Sequence, residues 1–265
     1  RHRHISIVGS TISAAMRDVL LSLLPALAAA VTFSVWPALS VILTCCLSAV
    51  ICEALCQKLM QRPITVGDGS ALLTGLLLAF CLPPELSLGL AAFGSFCAVV
   101  IGKQVFGGLG SNIFNPAHLG RAILLASFPA QMTTWPVVDA LNVFPMTYTD
   151  AQTGATVLSL MNEGVTELPS YGNMLVGAMG GSLGEVSAVA LILGLLFMLW
   201  KKIITWQIPV SILATVFVFT GIMHLVNPVQ YASPFVHLLS GGLLLGSIFM
   251  ATDYVTSPMS KNGML

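Results

Sequence analysis

From Ile203 to Thr252 the chain runs fifty residues without one Asp, Glu, Lys or Arg. Water cannot be the only solvent around such a stretch. A soluble domain covers its surface with about 25% charged residues, whereas this chain carries 8% over 265 residues. Four further uncharged runs lie at Val19 to Cys52, Leu86 to Gly102, Ala122 to Val138 and Val186 to Trp200. A bilayer crossing takes roughly 17–25 mostly apolar residues, so several of these runs are of spanning size. With 56% hydrophobic residues and a mean hydropathy of +0.93, the chain reads as an all-α membrane protein, a polytopic helical bundle solvated by the lipid bilayer.

Zero net charge leaves no electrostatic case for nucleic acid. Arg1-His2-Arg3-His4 precedes a span too long for the core of a signal peptide, and no small-residue cleavage site follows. Cys45, Cys46, Cys52 and Cys56 fall in one predicted helix, with Cys81 and Cys97 elsewhere. None has C-x-x-C spacing, so they read as small packing residues, with a cluster shared with a partner subunit as the alternative. His118, His224 and His237 show no metal spacing and read as buried hydrogen-bonders.

Pro37 divides the first run into spans at about 19–36 and 38–57. The piece from Ala71 to Leu82, stopped by Pro83-Pro84, is too short to cross unaided. Further spans are expected at about 86–106, 116–128, 185–200, 207–226 and 235–250. Basic residues favour the cytoplasmic side. The N-terminal Arg/His run with Arg17, the Lys58/Arg62 loop, Lys103 and Lys201-Lys202 all fall on one side of this layout. The polar segment 131–172 holds Asp139, Asp150, Glu163 and Glu167 without Lys or Arg. The expected topology therefore has a cytoplasmic N-terminus and an outer 131–172 loop.

Leu72-Leu73-Thr74-Gly75-Leu76-Leu77-Leu78 is echoed by Leu238-Leu239-Ser240-Gly241-Gly242-Leu243-Leu244. In this topology the two run in opposite directions, the mark of an inverted repeat whose short, interrupted helices flank the functional site. A chance recurrence of Leu-Gly stretches is the competing reading. With five elements per repeat, the expectation is one membrane domain over 1–265. Its first repeat covers about 17–130, the loop 131–172, and a second, truncated repeat about 173–265.

The loop contains Asp150-Ala151-Gln152-Thr153-Gly154-Ala155-Thr156-Val157-Leu158-Ser159. Read alone, it is a turn feeding a short helix, with Thr153 or Thr156 as N-cap. It also matches Asp-x-x-(Ser/Thr)-Gly-Ala-Thr, by which a flavin transferase joins the phosphate of flavin mononucleotide (FMN) to the last threonine. Asp150, Thr153, Gly154, Ala155 and Thr156 occupy every fixed position. Small Gly154 and Ala155 leave room for a bulky acceptor, and a helix start after Thr156 presents free N–H groups to the phosphate.

Three other stretches are Gly107-Gly108-Leu109-Gly110-Ser111-Asn112-Ile113-Phe114-Asn115-Pro116-Ala117, Ser127-Phe128-Pro129-Ala130-Gln131-Met132-Thr133-Thr134-Trp135 and Gly180-Gly181-Ser182-Leu183-Gly184-Glu185. With the loop, they make the chain resemble the D subunits of Rnf ion-translocating ferredoxin:NAD oxidoreductase complexes over nearly its whole length. The related B subunit of sodium-pumping NADH:quinone oxidoreductase has similar stretches behind a longer N-terminal extension. The resemblance implies a bacterial cytoplasmic (inner) membrane protein of urea-channel-like fold, lacking its last two helices here. It implies an electron relay between ferredoxin and NAD coupled to sodium or proton translocation, alongside the A, B, C, E and G subunits. The protein is not catalytic alone. FMN on Thr156 and a second, non-covalent riboflavin, which no motif here locates, are the implied cofactors, and the flavin transferase is a partner during maturation. A solute channel of the same fold without flavin is the competing function, since fold is a poor guide to function.

Four charges lie in or beside apolar segments, where charge is costly. Lys103 is expected to snorkel to the cytoplasmic surface and Glu185 to sit at an outer helix end. Arg121 has two readings: an ion pair between helices, or a cation near the anionic form of the flavin. Glu53 is the fourth.

Overall fold

The computed structural model describes residues 12–33, 35–136, 153–154, 156–162, 169–177, 179–185, 187–228, 230–258, 260 and 262–265. Apart from one two-residue strand pairing, the regular elements among the described residues are helical. Helices α1 (Ile12–Ser22) and α2 (Leu24–Phe33) join at Leu23, whose N–H is shared between the Val19 and Leu20 carbonyls at 3.2 Å each. Together they begin well before the span expected from about 19. Arg17 and Asp18 do not stop the helix because Arg17 is 70% exposed and leans toward Asp18 at 3.9 Å. Helix α3 (Val35–Leu59) starts before Pro37. In a first turn the missing proline N–H has no helical acceptor to lose, so Pro37 lies inside the helix.

Helix α4 (Ser70–Phe80) has eleven residues, nine of them buried. Too short to cross the bilayer alone, it is sheathed by protein, as a helix ending within a membrane must be. Helix α5 (Leu88–Phe96) continues as a π-helical stretch, Cys97–Gln104. Asn115 caps α6 (Pro116–Ser127), its Oδ1 accepting from the N–H groups of Ala117 and His118 at 3.1 and 3.2 Å. A single turn, α7 (Pro129–Met132), leads to β1 (Trp135–Pro136), which pairs antiparallel with β2 (Thr153–Gly154).

Short helices α8 (Val157–Asn162) and α9 (Tyr171–Val176) precede α10 (Ala188–Trp200) and the twenty-residue α11 (Gln207–Val226). The last apolar piece is interrupted: α12 (Pro234–Leu239) stops at Ser240, and α13 (Leu243–Leu245) resumes into a π-helical stretch, Gly246–Met250. Among the described residues three helices are long and apolar enough to cross a membrane: Ile12–Thr32, Trp36–Leu59 and Gln207–Val226.

Close backbone approach holds the bundle together, as expected where lipid tails remove the hydrophobic drive between helices. A Cβ on Gly75 would lie 2.7 Å from the Cys45 carbonyl oxygen, so α4 rests directly on the α3 backbone. A Cβ on Gly194 would lie 2.5 Å from the Ser22 carbonyl oxygen, seating α10 against the end of α1. A small separate cluster of Val157, Met174, Met179 and Val236 ties α8 and α9 to α12.

Candidate functional site

Thr156 sits at the N-terminus of α8. Its Oγ1 accepts the Ser159 N–H at 3.1 Å and lies 2.9 Å from Ser159 Oγ, so the threonine caps its helix. The residue remains partly exposed. Thr153 and Gly154 form β2, in register with Pro136 and Trp135, which ties this segment back to the end of α7. Asp150 and Ala155 lie outside the described residues, as does most of the acidic loop. Val157 is buried against Val236, so α8 is docked on α12.

Below this helix lies the break between α12 and α13. A Cβ on Gly241, whose φ is +68°, would meet Leu158 Cδ1 at 2.9 Å. A Cβ on Gly242 would stand 3.8 Å from Arg121 Nη1 and 3.9 Å from Glu185 Oε1. Arg121 from α6 and Glu185 from the 3₁₀ turn Leu183–Glu185 therefore flank the break. Glu185 N–H donates to the Ser182 carbonyl at 2.9 Å, and its carboxylate feels Arg121 electrostatically. The ion pairs within 4.0 Å among the described residues are Arg17–Asp18 and Lys103–Glu53, so the ion-pair reading of Arg121 is not realised there. Arg121 Nε and Ser240 Oγ are closed off from solvent and have no hydrogen-bond partner among the described residues.

Lys103 departs from expectation. It does not snorkel: the side chain is buried, with Nζ 2.9 Å from both Glu53 oxygens and 2.6 Å from Ser70 Oγ. Glu53 Oε1 also accepts from Gln104 at 2.9 Å and Gln57 at 3.2 Å, and Gln57 reaches Thr65 at 2.9 Å. A satisfied network of this kind removes the incentive for the ammonium to reach water. A cleft of about 100 Å³ opens beside it, lined among others by Ser70, Thr74, Lys103, Asn112, Asn115 and Asp253. Asn112 Nδ2 donates to the Phe114 carbonyl at 3.0 Å and approaches Asp253 Oδ2 at 3.4 Å. No group of three or more His, Cys, Asp or Glu with metal-holding geometry occurs among the described residues.

Thr156 and Arg121 are 35 positions apart in sequence; in the fold, Leu158, two residues beyond Thr156, and Arg121 both lie against the Gly241-Gly242 break. The Glu53–Lys103 network and Ser240 were missed as partners. Two opposite charges in neighbouring apolar segments, with Gln57 one turn beyond Glu53, were the available signal.

Fold and site define an all-α membrane protein with interrupted inner helices and a partly exposed threonine capping a short helix beside one of the breaks. The chain belongs to the NQR2, RnfD, RnfE family, whose model matches residues 4–265. It is 43% identical over 266 residues to the D subunit of the Na(+)-translocating ferredoxin:NAD(+) oxidoreductase complex of Acetobacterium woodii, covering 99% of this chain and 78% of that one. It is 42% identical to the D subunit of the proton-translocating ferredoxin:NAD(+) oxidoreductase complex of Clostridium ljungdahlii, covering 96% of this chain and 78% of that one. The D subunit of the ion-translocating oxidoreductase complex of Stutzerimonas stutzeri is 40% identical, covering 97% and 80%.

Proposed function

We propose that this chain is the D subunit of an Rnf-type complex and carries FMN through a phosphoester on Thr156. The observation that carries the reading is the placement of Thr156. Its hydroxyl is partly exposed at the start of a helix, within the complete Asp150-x-x-Thr153-Gly154-Ala155-Thr156 pattern. The residues fit such a group: Thr156 would hold the phosphate, with the N–H groups of the first turn of α8 beside it. Arg121 Nε and Ser240 Oγ, both unpartnered, stand near the break below. A bound flavin supplies electron transfer, and the protein's part is to fix the ring and set its environment. The names of the relatives favour this over the solute channel.

The same reading puts the protein in a bacterial inner membrane with the A, B, C, E and G subunits, and includes a second, non-covalent riboflavin. Ferredoxin and NAD are handled by the partners, and the chain alone does not reduce NAD. It also makes α4 and the 234–250 segment the matching interrupted helices of an inverted repeat. In support, Ser70 and Thr74 share a cleft with Thr252 and Asp253, whereas Phe80 and Leu245 meet across Gly184. Rising numbers along α4 thus face falling numbers along the other segment.

Thr156→Ala should abolish the fluorescent flavin band on a denaturing gel. It removes one helix cap, a loss of about 0.5–2 kcal/mol, and leaves the bundle intact. Thr153→Ala should reduce attachment less. Mass spectrometry of the 150–160 peptide decides: an unmodified Thr156 in protein from cells with an active flavin transferase sinks the assignment.

A further inference from the structure

Of the cations within the helical bundle, Lys103 is matched by the Glu53 carboxylate and the Ser70 hydroxyl, and the Gln57 and Gln104 amides donate to Glu53 in turn. Arg121 is not. Among the described residues its Nε is shut off from solvent without a hydrogen-bond partner, and no carboxylate lies within ion-pair distance of it. Burying part of a guanidinium without hydrogen bonds is costly, so a group retained in this state usually serves a ligand. Ser240 Oγ, 2% exposed and likewise unpartnered, marks the same helix break. The titratable groups that Arg121 influences electrostatically are Glu185, His118 and Cys81.

The break is also where the acceptor helix touches down. Leu158, two residues beyond Thr156, packs on Gly241, and Arg121 Nη1 stands beside Gly242. A flavin phosphate anchored at Thr156 would lead its ribityl chain past Leu158, the residue that packs on the break. The pyrimidine edge of a flavin offers hydrogen-bond acceptors, and on two-electron reduction it holds a negative charge there if only one proton is taken up. A guanidinium and a hydroxyl without other partners match that edge.

We infer that Arg121, with Ser240, forms the docking site for the ring of the flavin on Thr156 and that its positive charge favours the anionic reduced form. The inference rests on the Thr156 reading. Arg121 is a cofactor-contacting residue in this arrangement, and Glu185 sets the size of its effect as a nearby opposing charge.

The test uses the whole complex, with the flavin that disappears in Thr156→Ala identified by difference. Arg121→Met and Arg121→Gln should retain the covalent flavin on the gel. Both should shift its dithionite–dye reduction equilibrium by about tenfold or more toward the oxidised form, and Arg121→Lys should recover most of the loss. In the unaltered complex, reduction of this flavin in mildly acidic buffer should consume one proton per electron pair. Uptake of two protons there, or an unchanged equilibrium in an assembled Arg121→Met or Arg121→Gln complex, overturns the inference while leaving the Thr156 attachment standing. Absence of covalent flavin from the unaltered complex overturns the attachment itself, and the inference with it.

Discussion

Glu53 and Lys103 show how differently one charge behaves when its neighbours are right. Both are about 1% exposed and hydrogen-bonded on every side that the fold allows. Removing one partner strands the other in a low-dielectric interior, a cost of about 3–5 kcal/mol. Replacing both with apolar groups of similar volume costs less, because no buried charge is left unpaired and only the Gln104 and Gln57 amides lose an acceptor. Lys103→Met should therefore lower the thermal midpoint of the detergent-solubilised complex more than the double variant Glu53→Leu/Lys103→Met does. Equal loss in both would mean that the pair contributes by packing alone. The sequence displayed both charges but not their meeting, since fifty positions separate them. The π-helical stretch Cys97–Gln104, which carries Lys103 and Gln104 toward α3, has no period-based signature.

At the scale of elements, hydrophobic runs located helices well, and their ends followed local chemistry. Helix α11 occupies 207–226 as expected, and Asn115-Pro116 starts α6 as a capped turn. Boundaries failed where a charge or a proline proved harmless: Arg17 faces outward and Pro37 sits in a first turn. Interruption of the 234–250 piece follows from Ser240-Gly241-Gly242, where positive φ at Gly241 suits a residue without a Cβ. Close helix packing yields a direct prediction. Gly75→Val places atoms against the Cys45 carbonyl, so α4 must move off α3. The expected loss is about 1–3 kcal/mol, the usual range for an overpacked interior. Gly89→Ala in α5, where a Cβ meets nothing within 4 Å, should be neutral or slightly stabilising. Melting curves of the two variants side by side test this, and a tolerant Gly75→Val would show that the α3–α4 contact is loose.

For the whole molecule, orientation is the property with the widest consequences, because it decides which compartment reaches Thr156. The proposed arrangement has Lys201 and Lys202 inside and Glu163 outside. A membrane-impermeant maleimide applied to intact cells should modify Glu163→Cys and spare Lys201→Cys, with labelled peptides resolved by mass so that native cysteines do not interfere. Labelling at 201 with protection at 163 reverses the topology and removes the outer-face location of the flavin.

The sequence by itself determined the class of the molecule, the position of most helices and the motif on which the proposed acceptor role of Thr156 rests. Each depends on a local quantity: uncharged length, the partition of polar groups out of hydrocarbon, or a motif within seven consecutive residues. Only the tertiary structure decided what the isolated charges do. Lys103 is held by Glu53 instead of reaching the interface, and Arg121, at a helix break against which α8 packs, has an Nε with no hydrogen-bond partner among the described residues. A buried charge is worth what stands around it, and its surroundings come from helices far apart in the chain. That dependence on distant neighbours is why a linear pattern could name these residues but not pair them.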